Sequence, residues 1–249
     1  MPQLIAVAGP PGAGKTTWIS QFLKNRDRPL YYLCPGGAQG IDTPYLGYRF
    51  PWVQVIPEGK MPAVLADLPQ EAEVYLELGF HLSLDSPLLA SLPCHRVALL
   101  PPGYPPTDWQ NWADKVIPGQ GHPPTQTDTL PPLWRTALTG RVFDPPSLDL
   151  VWTEIIQGAY GPVQRAKGIV ELPDGRAFYV DFVEGLEGSE YGELPLAPWL
   201  EGRPQRPSGL EVVGWGLDTE AIVSALLDSC LPDDLLTQYQ AHYRNLIPA

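Results

Sequence analysis

Short apolar runs alternate with amphipathic stretches through the first half of the chain, and the alternation predicts strands and helices in turn. Residues 4–8, 30–33, 52–56, 74–78, 96–100 and 115–117 read as six strands. Between them, residues 14–25, 61–68 and 85–92 read as helices, and residues 109–113 as a helical turn. Pro62 falls in a first turn, where proline is tolerated. Asp85-Ser86-Pro87 couples a capping side chain to a proline at a helix start. Residues 34–51, rich in Gly and Pro, read as a loop. Strands alternating with helices imply a mostly parallel sheet covered by helices on both faces, the α/β arrangement.

The pattern then changes. Residues 118–132 hold five prolines and no period, and read as a boundary region. Residues 133–138 read as one further strand. Residues 146–157 carry Leu148, Val151, Trp152, Ile155 and Ile156 at helical spacing. Residues 163–172 and 176–183 alternate as strands about a Pro173-Asp174-Gly175 turn. Residues 184–208 read mostly as loop, 209–215 as a strand, 219–227 and 235–246 as helices. The order suggests a small antiparallel α+β module. The expected division is an α/β domain over residues 1–140 and an α+β domain over 141–249.

The first strand runs into Gly9-Pro10-Pro11-Gly12-Ala13-Gly14-Lys15-Thr16, which fits G-x-x-x-x-G-K-[ST] in full. A phosphate-binding loop needs this strand–loop–helix context. Glycines let backbone N–H groups close around phosphate oxygens. The new helix adds unpaired N–H groups and the positive end of its dipole. Residues 9–16 and the adjoining Thr17 are thus the expected nucleotide-binding set. Lys15 would reach the β- and γ-phosphates, and the Thr16 hydroxyl would face Mg²⁺. The plainer reading, a Gly-rich turn that opens a helix, does not require strand, motif and helix in register. Glu77 closes the expected fourth strand, where it could bind Mg²⁺ through water or orient an attacking water. The plainer reading is a solvated strand-end carboxylate. Asp42 is a further Mg²⁺ or switch candidate, balanced against a loop Asx-turn.

Composition narrows the partners. The 249 residues carry a net charge of −12, with no basic run, which argues against nucleic acid or an anionic membrane surface. No apolar stretch approaches the ~20 residues of a membrane span. The chain begins at its first strand, leaving no room for a signal peptide. Cys34, Cys94 and Cys230 are odd in number and far apart, the pattern of a reduced, cytoplasmic chain. Cys94-His95 is the lone Cys–His neighbour pair, and adjacent strand residues chelate poorly because they face opposite ways. His81, His122, His242 and Cys230 form no ligand spacing. Trp199 and Trp215 could form an exposed aromatic surface, but packing into the small domain's own core is preferred.

Several pieces resemble the CobW family of P-loop GTPases, which are associated with metal delivery. Residues 161–169, containing Arg165-Ala166-Lys167-Gly168, resemble the family's R-x-K-G strand. Residues 152–156 and 209–214 are similar to the helix before it and the closing strand after it. Gly40-Ile41-Asp42 resembles the G-I-D after strand two, and Glu77 the glutamate of the Walker-B-like strand. The departures are equally specific. Cys34-Pro35 replaces Asn-Glu, and Pro57-Glu58-Gly59-Lys60-Met61 replaces the cysteine-rich metal run. Pro118-Gly119-Gln120-Gly121 stands where guanine-selecting [NT]-K-x-D is found, and Glu77-Leu78-Gly79 shortens E-x-x-G. The resemblance implies a slow, Mg²⁺-dependent P-loop GTPase, with GTP favoured and ATP open, acting as a switch in metal delivery or protein assembly. A protein client would engage the C-terminal domain. The departures remove the base aspartate and the thiolate metal site. They motivate an alternative, a degenerate pseudo-GTPase that serves as an assembly scaffold.

Overall fold

The computed structural model describes residues 2–36, 40–121 and 130–246. The chain divides into two compact units, Met1–Leu130 and Pro131–Ala249.

The first unit is built on a six-stranded sheet. Its strands are β1 (Gln3–Ala8), β2 (Leu30–Leu33), β3 (Gln54–Val55), β4 (Glu73–Glu77), β5 (His95–Leu100) and β6 (Lys115–Pro118). Their order is β3-β2-β4-β1-β5-β6, and every pairing is parallel. The helices are α1 (Lys15–Phe22), α2 (Asp42–Arg49), α3 (Met61–Ala66), α4 (Pro87–Ser91) and α5 (Asp108–Trp112). Alternate strand residues face opposite sides. Leu4, Ala6, Ala8, Val74, Leu76, Ala98 and Leu100 pack with Met61, Leu89 and Trp109 of α3, α4 and α5. On the other side, Phe22 of α1 stacks on Tyr75 at 5.7 Å. Helices therefore cover both faces of a parallel sheet, as the strand–helix alternation implies.

Ser86 accepts the Leu89 N–H and caps α4, as its place before Pro87 suggests. α2 is a correction, because residues 34–51 read as loop. Pro44 lies in the first turn of that helix, where a missing N–H is harmless, and Tyr45 and Leu46 anchor it by burial. Tertiary burial here outweighs a sequence full of breakers. Most of the proline-rich stretch at 118–132, including His122, lies outside the described residues.

The second unit holds a five-stranded antiparallel sheet. It comprises β7 (Leu133–Ala137), β8 (Val163–Glu171), β9 (Ala177–Val183), β10 (Glu190–Glu193) and β11 (Gly209–Gly214), in the order β10-β9-β8-β11-β7. α6 (Pro145–Ile156) and α7 (Thr219–Asp228) pack on one face, against Trp134, Ala166, Val170, Val180, Leu210 and Val212. α8 (Asp233–Leu246) closes the chain, with Leu236 against Val142 and Leu231. β7 was expected within residues 1–140; it pairs instead with β11 of this sheet. β10 is a second difference, since residues 184–208 read mostly as loop. It is a short polar edge strand, which carries no hydrophobic alternation to read.

The opposite face of this sheet carries charges in register. Glu211 accepts from Arg135 Nε at 2.9 Å and lies 3.1 Å from Lys167 Nζ. Arg165 pairs with Asp181. The two cations of the R-x-K-G strand are thus held by carboxylates of neighbouring strands. Trp199 and Trp215 were expected in this unit's core. They are 41% and 38% exposed, and neither joins the cluster beneath α6 and α7, whose aromatic members include Phe143 and Trp152.

Candidate functional site

β1 and β4 lie side by side, with Val7 in register with Glu77. Their carboxyl ends therefore open at the same edge, where ligands of parallel sheets bind. The chain leaves β1 through Gly9 at φ +143°, where an added Cβ would stand 2.2 Å from the Leu99 carbonyl oxygen. Gly14 caps α1 at φ 85°, a left-handed conformation that glycine adopts without strain. Both ends of the loop thus depend on glycine.

Lys15 is buried and curls over its own loop. Its Nζ donates to Gly9 O at 2.9 Å and to Pro10 O at 3.0 Å. Ala13 N donates to Pro10 O at 3.3 Å, tightening the turn. Ala13 O accepts from Gln120 N at 3.0 Å, and Gly119 N donates to Leu100 O at 2.7 Å. The Pro118-Gly119-Gln120-Gly121 segment is thereby pinned against the loop. Gly12 and Pro11 are half-buried, and Thr17 is exposed in the first turn of α1.

Thr16 draws in the remaining candidates. Its hydroxyl lies 2.8 Å from Glu77 Oε1 and 3.2 Å from Asp42 Oδ1. One hydroxyl carries one proton, so it donates to one carboxylate at a time, and the shorter contact favours Glu77. Both acids are buried, Glu77 at 4% exposure and Asp42 at 8%. The other Glu77 oxygen, Oε2, accepts from the Tyr32 hydroxyl at 2.9 Å. Burial pushes the Tyr32 hydroxyl well above the ordinary tyrosine range, and the Glu77 charge adds to the effect. Tyr32 therefore stays protonated and stays a donor.

The donor set is hard oxygen: one hydroxyl and two carboxylates. It fits Mg²⁺, which takes one or two carboxylates and leaves its other positions to phosphate and water. Among the described residues no group of three or more His, Cys, Asp or Glu could enclose a metal alone. Cys34, Cys94 and Cys230 form no disulfide, and each is partly exposed. His95 Nδ1 lies 3.4 Å from Asp114 on the surface, away from the Thr16 cluster in sequence and sheet position.

No protein-family model matches the sequence, and no curated protein matches it. Two solved structures resemble the chain: Zn(II)-bound YjiA GTPase from E. coli, and a Zn(II)-bound triple mutant of YjiA GTPase. The first shares 11% identity over 92% of this chain and 99% of its own, with a TM-score of 0.34. The second shares 11% over 91% and 98%, with the same TM-score of 0.34. A likeness at that level fixes nothing about the chemistry of this chain.

Of the expected site residues, Thr16, Asp42 and Glu77 converge, and Lys15 closes the loop beside them. Tyr32 and Gln120 were missed. Tyr32 could have been flagged, because a tyrosine in a fully buried strand needs a partner for its hydroxyl. Gln120 contributes its backbone N–H, which no side-chain pattern reveals.

Proposed function

We propose that this protein is a P-loop nucleoside-triphosphate-binding protein of CobW type that takes Mg²⁺ with GTP, or less readily ATP, and hydrolyses it slowly. The observation that carries the reading is the Thr16 hydroxyl set between Asp42 and Glu77 beside a loop closed by Lys15. The Lys15 ammonium would exchange the Gly9 and Pro10 carbonyls for phosphate oxygens, which are stronger acceptors because they are charged. Thr16 and the two acids would hold Mg²⁺, which supplies charge neutralisation to the phosphates. Glu77 would also orient the attacking water. No arginine stands within residues 9–17, and hydrolysis without one is slow.

The wider reading follows the CobW resemblance. The protein would act in the cytoplasm as a switch in metal delivery or assembly, with residues 141–249 receiving a protein client. A net charge of −12 disfavours nucleic acid and membrane surfaces. No described helix is long and apolar enough to cross a membrane.

One observation favours a second reading. Residues 118–121 lack the guanine-pairing aspartate, and the Gly119 and Gln120 amides are spent on the Leu100 and Ala13 carbonyls. A pseudo-GTPase scaffold would need no base selectivity. Titration of fluorescent mant-GTP and mant-ATP into wild type and Lys15→Ala tests the first reading. Saturable binding by wild type and its loss in the variant are expected. Absence of binding by both nucleotides at high micromolar concentration would sink it. Client capture unaffected by Lys15→Ala and by nucleotide would favour the scaffold.

A further inference from the structure

We propose that Tyr32 is a positioning residue for the divalent cation, acting through the Glu77 carboxylate. The inference rests on the Mg²⁺–nucleotide reading above and assigns a residue that the phosphate-binding motif does not contain.

The placement follows from the sheet. β2 and β4 are parallel neighbours, with Tyr32 in register with Tyr75. Glu77 is two residues beyond Tyr75, so it projects from the same face as Tyr32. Two residues along a strand span about 6.6 Å, a distance a tyrosine side chain can bridge. Its hydroxyl accordingly reaches Glu77 Oε2 at 2.9 Å, while Oε1 meets Thr16 at 2.8 Å. A carboxylate held by a donor on each oxygen cannot swing about its terminal bond. Remove the Tyr32 hydroxyl, and Oε2 loses the donor that helps to aim the carboxylate.

Tyr32 is suited to the task. It is fully buried in the sheet, so its ring cannot reorient without breaking the core. A hydroxyl has acceptor lone pairs besides its proton, so Thr16 can donate to Glu77 and still offer oxygen to a cation. Tyr32 makes no contact of that kind; it serves the cation through the acid. Partners that orient ligating carboxylates commonly matter 10–100-fold, roughly, for metal affinity.

The test is a Mg²⁺ titration of mant-GTP binding by metal-stripped wild type, Tyr32→Phe, Glu77→Gln and the double variant. Phe keeps the ring and removes the hydroxyl alone. Tyr32→Phe is expected to raise the Mg²⁺ midpoint about 10-fold. Its nucleotide affinity in EDTA should stay within about twofold of wild type, and its midpoint in the Glu77→Gln background should not move further. An unchanged midpoint overturns the proposal. So does an equal weakening with and without Mg²⁺, or a shift that persists in Glu77→Gln, because each denotes a structural role. A Tyr32→Phe chain that no longer folds does the same. Wild type that binds no nucleotide defeats the underlying reading, which is a distinguishable result.

Discussion

The Thr16 hydroxyl and Glu77 Oε1 lie 2.8 Å apart across 61 positions of sequence. The contact joins the first turn of α1 to the end of β4 and places an acid at the one hydroxyl of the phosphate-binding motif. Replacing Glu77 by Gln keeps the shape and removes the charge. We expect Glu77→Gln to bind mant-GTP in EDTA as wild type does and to lose most of its response to added Mg²⁺. Fluorescence titration in both conditions checks this.

Lys15 satisfies two carbonyls of its own loop. Lys15→Ala removes the cation and the side-chain donor that Gly9 O and Pro10 O share, leaving Pro10 O its bond from Ala13 N. Truncating one partner of a charge pair costs about 2–5 kcal/mol, so triphosphate affinity should fall by about 30-fold or more. The thermal melt of the same preparation separates lost binding from lost fold.

Gly9 is the tightest point of the loop. Alanine there would put a Cβ 2.2 Å from Leu99 O at φ +143°. Strain of this kind together with the forced shift of β5 should destabilise the protein by about 2–4 kcal/mol. Urea denaturation of Gly9→Ala against wild type measures it.

How much of this was readable beforehand depends on whether the signal was local. The loop at residues 9–16, the six strands of the first sheet and the β8–β9 hairpin all have a period or a motif confined to a few residues. α2 did not, because Pro44 and Gly47 argue against a helix that the burial of Tyr45 and Leu46 sustains. The identity of β7's partner was hidden for a different reason: the pairing spans more than seventy residues, and alternation tells that a strand exists but not where it goes. Glu77 was legible as a strand-end acid, whereas its Tyr32 partner was hidden inside an apolar run.

Several tyrosines bear on alkaline stability. Burial raises Tyr32 and Tyr75 above their ordinary value of 10.0, and the hydrogen bond to Glu154 raises Tyr160 to about 12. Above the ordinary value the unfolded chain releases protons that the folded chain keeps, so stability falls as pH rises. The contribution is whole below pH 10 and is progressively lost toward pH 12. Denaturation midpoints across that range should decline, and less steeply in Tyr32→Phe.

Glu171 in β8 is 1% exposed and takes two bonds of 2.6 Å from Arg206. Burial raises its carboxyl pKa, and Arg206 pulls it down. Arg206→Ala would leave a buried charge uncompensated, at a cost of about 3–5 kcal/mol near neutral pH. The carboxyl would rise further, so the loss should shrink as pH falls and the group becomes neutral. Chemical denaturation at neutral and acid pH tests both parts.

β7 forms the border of the antiparallel sheet, yet it precedes the rest of that sheet in the chain. A fragment cut to begin at residue 141 would strip it away. The backbone of β11 would then be bared along a length that another molecule could occupy. Anyone isolating the C-terminal half should therefore start at or before Pro131, or expect a sticky product whose self-association is an artefact of the cut.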